Sequence, residues 1–212
     1  MILEKIQKDL ETLYAIQLDQ NVKNFLTQTG HQKGTQKIGS RFQQEALFIR
    51  QNGNDVEVGL FFHPKLLQKL KTDNPYTRLN TSNLEPFLTA TEGVSHFLYF
   101  LSRAEKELPV TQLEMEVQAE VDKYLLTCFL YYHQHHTLPL FLFPALFENF
   151  RWHEALTPEE KERYEKANTL AARFCNHLET HYLRAKRWQA LLGAARQFYR
   201  LNHWAKIRLL TP

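Results

Sequence analysis

The sequence predicts a mainly α protein: one helical-bundle domain over residues 1–212 that carries a small N-terminal β-hairpin at about residues 45–62. Three observations predict it. Apolar side chains recur three and four apart through most of the chain, residues 45–62 alone alternate with period two, and two Thr-x-x-Glu boxes mark helix starts. The chain has 212 residues, 43% hydrophobic and 13% aromatic, enough to bury a sizeable core. No composition break, internal repeat or low-complexity tract divides it, so 1–62 (helix, basic loop, hairpin) and 63–212 (helical bundle) are expected to form one unit.

The elements follow in order. Residues 3–27 are expected to form a first helix, with Ile6, Leu10, Leu13, Ile16 and Leu18 inward. "TQTGHQKGTQKIGSR" is a basic loop by composition. Gly34 and Gly39 have P-loop separation, but Ser40 and Arg41 follow in the wrong order and no buried strand precedes them, which excludes a phosphate cradle.

"EALFIRQNGNDVEVGLFF" is the hairpin. Two registers fit: a turn on Asn52-Gly53 sets Ile49 against Val56, and one on Gly53-Asn54 sets Ile49 against Val58 and Arg50 against Glu57. A lone hairpin is marginal in water, so it must lean on helices or gain a strand from "QKIGSRF".

Everything after His63 reads as helix. Pro64 opens a short one, Asn83 caps the next over 84–106, and Thr111 with Glu114 opens another over 112–133. Thr157, Pro158 and Glu160 repeat the device, and Tyr164, Ala167, Ala171, Phe174, Leu178 and Tyr182 then form a packing seam.

Function is less legible than fold. The N-terminal segment lacks the unbroken apolar stretch of an export signal, and "LPLFLFPALF" has half the length of a membrane-spanning helix and contains two prolines. Cys128 and Cys175 fall inside predicted helices, as buried free thiols do. A cytoplasmic protein with no transmembrane segment is expected.

The last 33 residues contain no acid, where the chain's average density would place about 3.6. Their seven bases, removed from the net +3, leave the rest of the chain at −4. On a helix, Trp188, Leu191, Leu192, Ala195, Phe198 and Tyr199 gather on one side. An anionic-partner surface of Lys186, Arg187, Arg196, Arg200, His203, Lys206 and Arg208 is expected elsewhere on this tail. The aromatics Phe141, Phe143, Phe147, Phe150 and Trp152, in a stretch broken by prolines, either plug the bundle or form an apolar docking surface.

Two helix faces carry candidate chemistry. Glu92, His96, Tyr99 and Arg103 share one side of the 84–106 helix. They read first as a polar flank bonding a neighbouring helix and second as an acid–base pair or metal ligands. His177 and His181, four apart, read the same two ways, but without the glutamate of zinc proteases. The ferritin-like spacing, a nucleophile elbow, a dinucleotide fingerprint and Cys-x-x-Cys are all missing.

The expectation is therefore a non-enzymatic interaction or adaptor module of a cytoplasmic assembly. It has a larger protein partner and no cofactor, and its basic amphipathic helix contacts an anionic partner such as nucleic acid, in preference to an anionic membrane surface. The alternative is a metal-assisted hydrolase using Glu92, His96, His177 and His181.

Overall fold

The first helix stops half-way along its expected span, and the way it stops organises one end of the molecule. In the computed structural model, which describes residues 1–28, 36–38, 44–53, 55–149 and 156–210, α1 covers Ile2–Tyr14. Ala15 turns left-handed (φ 50°), and Ile16 N–H closes on the Glu11 carbonyl. Carbonyls of its last turn are met from far along the chain. Arg196 donates from Nε to Leu13 O (2.9 Å) and from Nη2 to Thr12 O (3.2 Å), and Arg200 donates to Tyr14 O (3.2 Å). Two guanidiniums thus cap the negative end of α1. The returning chain is tied by Gln7, which accepts from Val22 N–H and donates to Gln20 O.

Arg196→Ala is accordingly expected to lower stability by about 1–2 kcal/mol, because it strips charge-assisted bonds from two carbonyls. Urea unfolding checks this, and a midpoint equal to wild type would show that water caps α1 equally well.

Three antiparallel strands follow in the order β1 (Gln36–Ile38), β2 (Glu45–Asn52) and β3 (Asp55–Phe62). The hairpin takes the later register: Asn52 pairs with Asp55, Arg50 with Glu57 and Ile49 with Val58, and Gly53 adopts φ 62°. The third strand comes from the segment expected to supply it, with Ile38 beside Leu47. Both faces of β2 are covered, since Ala46 and Phe48 are buried as well as Leu47 and Ile49.

The helices are α2 (Pro64–Thr72), α3 (Leu84–Ala104), α4 (Gln112–His135), α5 (Pro158–Leu178), α6 (Trp188–Arg200) and α7 (His203–Leu210). Both capping boxes form as expected, Thr111 with Glu114 and Thr157 with Glu160. Asn83 precedes α3 but spends its amide on Asp73 and Arg78 rather than on the helix end.

The centre of the fold is α4. It packs against α3 and α5, and every residue from Glu114 to Cys128 is buried, so it has no solvated face over four turns. The sheet leans on α3, and α1 lies against α3 and α6. Cys128 and Cys175 are buried and unpaired. Among the described residues, no helix is long and apolar enough to cross a membrane.

The Pro-punctuated segment splits its aromatics. Leu142, Leu146 and Phe147 are buried, and Tyr124 meets both Phe143 and Phe147, while Leu140 and Phe141 stay exposed. A docking role for Phe147 is therefore corrected, because its ring is spent inside the bundle. Phe150 and Trp152 lie outside the described residues.

Candidate functional site

Burying α4 on all sides brings its charged residues into the interior, where they meet charges from α3 and β2. Two polar networks result, and their states of satisfaction differ.

The first network is complete. Asp122 accepts from Tyr14 Oη, Ser95 Oγ (2.6 Å) and Gln118 Nε2 (2.8 Å), and Lys206 donates to Gln118 Oε1 (2.8 Å). The Lys206 ammonium lies over the rings of Tyr99 (4.3 Å) and Phe198 (4.6 Å). Burial pushes the Asp122 carboxyl up to about 6 and the Lys206 amine down to about 7. This network ties α1, α3, α4 and α7 together, as a satisfied core network does.

The second network is incomplete. His96 on α3 stands between two carboxylates: its Nε2 is 3.5 Å from Glu116 Oε2 on α4, and its Nδ1 is 3.9 Å from Glu45 Oε2 on β2. Lys123 on α4 is held between Glu92 Oε2 (2.9 Å) and Glu120 Oε1 (2.8 Å). All six side chains are buried. Among the described residues, neither oxygen of Glu45, neither ring nitrogen of His96, nor Glu116 Oε1 has a hydrogen bond. Buried polar atoms held only by long ion pairs, without a hydrogen bond, are rare in folded proteins.

The electrostatics follow from this geometry. Burial raises Glu45 to about 7, assisted by the charges of Glu92 and Glu116 and opposed by His96. Burial lowers the imidazole of His96, but Glu116 and Glu45 outweigh it and hold the ring well above the ordinary histidine value. The charged form of His96 is thus favoured and the charged form of Glu45 disfavoured, so the cluster sets a proton donor beside a proton acceptor. On α5, Tyr164 lies in the field of the same carboxylates, and burial raises its hydroxyl.

The expected site residues divide accordingly. Glu92 and His96 do belong to one cluster, but through different partners, Lys123 for the first and Glu45 with Glu116 for the second. Tyr99 and Arg103 turn elsewhere, to Glu114 and to the Pro109 carbonyl. His177 and His181 are exposed with their rings 4.3 Å apart, and His181 Nδ1 meets the His177 carbonyl. The four residues do not converge: among the described residues, no three His, Cys, Asp or Glu side chains form a metal-ligand group. Glu45, Glu116, Glu120 and Lys123 were not anticipated.

The tail does not present one basic face. Lys206, expected in water, is only 2% exposed and is a correction, since its ammonium lies over aromatic rings and bonds Gln118 on α4. Arg196 and Arg200 are engaged by α1, and Arg184 is neutralised by Glu179 (2.7 Å). His203 meets Thr111 Oγ1 at 3.1 Å, and Lys186 lies 5.5 Å over Tyr132. Arg184, Lys186, Arg187, Arg200 and Arg208 are all exposed, and of these Arg187 and Arg208 have no partner among the described residues. The helix also breaks after Arg200, so α7 takes its own direction.

Fold and site thus define a mainly α domain with an enclosed carboxylate–imidazole cluster. No protein-family model matches the chain, and no curated protein or solved structure matches it either.

Proposed function

We propose that this chain is an enzyme that works by general acid–base chemistry at His96, with Glu116 and Glu45 orienting the ring and Glu45 able to accept the proton. The observation that supports this is the buried His96, flanked by two carboxylates at 3.5 and 3.9 Å with oxygens left unbonded. A fold gains little from leaving such groups unsatisfied, whereas proton transfer needs neighbouring groups whose pKa values have been driven apart. Enclosure keeps bulk water out, so a substrate reaches His96 only when an element over the cluster moves.

Turnover of ester, amide, glycoside and phosphodiester substrates, followed from pH 5 to 9, tests this proposal. One class is expected to be turned over, with kcat lowered about 10²–10⁴-fold in His96→Gln assayed well below its melting temperature, which itself should fall because Glu45 and Glu116 lose their cation. Turnover that survives in His96→Gln, or none in any class, removes the proposal.

A second reading, an interaction module of a cytoplasmic assembly, draws on the apolar groups left in solvent: Leu140 (62% exposed), Phe141, Trp204 (71%) and Leu209. Unpaired thiols support the cytoplasmic setting. Only Arg187 and Arg208 of the tail remain as surface contacts to nucleic acid that no described partner engages, so that contact is weaker ground than a protein or small-molecule one.

A further inference from the structure

A concavity lies away from the His96 cluster, between α5, α6 and α7. Its floor is apolar, built from Phe174, Ala194, Phe198, Leu201, Ala205 and Leu209, and the two alanines leave room where larger side chains would close it. Its volume is about 750 Å³, within the range of small-molecule sites. Among the described residues, the only formally charged side chains on its lining are Arg173 and Arg208, and no Asp or Glu joins them. Arg173 spends Nη1 on the Leu210 carbonyl (2.7 Å), while Arg208 has no hydrogen bond or ion pair among the described residues. His177, also on the lining, is lowered by burial and by His181 and so adds no charge at neutral pH.

We propose that this groove binds the carboxylate form of a long-chain fatty acid, its alkyl chain on the apolar floor and its head on Arg208 and Arg173. An apolar trough with cationic groups and no acid complements that amphiphile and repels a cationic one. The occupant is taken as a small molecule because the volume of the groove is that of a small-molecule site. This assignment also gives a use to Arg208, one of the few tail bases that the fold does not consume.

Isothermal titration of the full chain with dodecanoate below its micelle concentration tests the assignment. One site per chain is expected. Dodecyltrimethylammonium and dodecanol should bind at least about tenfold more weakly, and Arg173→Gln with Arg208→Gln should weaken dodecanoate by a similar factor. Ala194→Phe, which fills the floor, should abolish binding while the melting temperature stays within a few degrees of wild type. Absence of dodecanoate binding, equal affinity for the cationic chain, or indifference to both sets of variants overturns the assignment. An acidic amphipathic peptide that binds where dodecanoate does not would overturn it in favour of a protein partner. None of these outcomes bears on His96.

Discussion

Lys123→Met is expected to lower the unfolding free energy by about 3–5 kcal/mol, the largest loss any single conservative-volume substitution in this chain should produce. The Lys123 ammonium has no solvent contact and bonds Glu92 on α3 and Glu120 on its own helix at 2.9 and 2.8 Å. Methionine fills the same space but takes the cation from both buried carboxylates, and removing one member of a buried ion pair costs more than the pair ever contributed. For a domain of this size the melting temperature should fall by on the order of 10 °C. Adding Glu92→Gln and Glu120→Gln to Lys123→Met should return much of the loss, since no charge is then stranded. Urea unfolding of the single and triple variants decides the matter. A single variant within about 1 kcal/mol of wild type would mean that the carboxylates are already neutral or compensated without Lys123.

The residues behind that prediction were present in the sequence, but the signal lay in pattern rather than motif. Thr111-x-x-Glu114 and Thr157-x-x-Glu160 were legible because a capping box is complete within four residues. The hairpin was legible for the same reason. Glu45 was missed although it shares strand parity with Leu47 and Ile49, and a period-two strand puts all three on one face. On α4, Met115, Ala119 and Leu126 lie off the stripe formed by Val117, Val121 and Leu125. A helix apolar on every side is a buried helix, and its Glu116, Glu120, Asp122 and Lys123 must then be buried with it.

The basic tail shows the opposite limit. Angular sorting grouped Leu191, Ala195, Phe198 and Tyr199 on one side, and that side is buried, but nothing local to Arg196 says that its partners are carbonyls 183 and 184 positions away. The early stop of α1 and the use of Arg196 are one tertiary event. Reading either helix alone predicts a longer α1 and a free arginine.

Gly93→Val should cost about 3 kcal/mol and, unlike a simple core defect, should also change how His96 titrates. Propensity argues the other way, because glycine inside a helix is about 1 kcal/mol worse than alanine and valine is intermediate. Packing overrides it here. A Cβ at position 93 would stand 2.7 Å from Cε1 and Cζ of Phe62 and 3.0 Å from Glu45 Oε2, and valine adds two methyl groups to that overlap. The Phe62 ring is buried at the end of β3, and Glu45 is its cross-strand partner, so the sheet must retreat from α3 and take Glu45 with it. As Glu45 withdraws, His96 loses one of the two carboxylates that keep it protonated, and its pKa should fall toward the ordinary value while the Glu116 contact persists. Nitrogen-15 NMR of the imidazole in Gly93→Val reads that shift directly, and Phe62→Ala in the same chain should recover part of both stability and titration by returning the space. Additive stability losses in the double variant, or an unshifted His96, would show that the close approach of β3 to α3 does not set the position of Glu45.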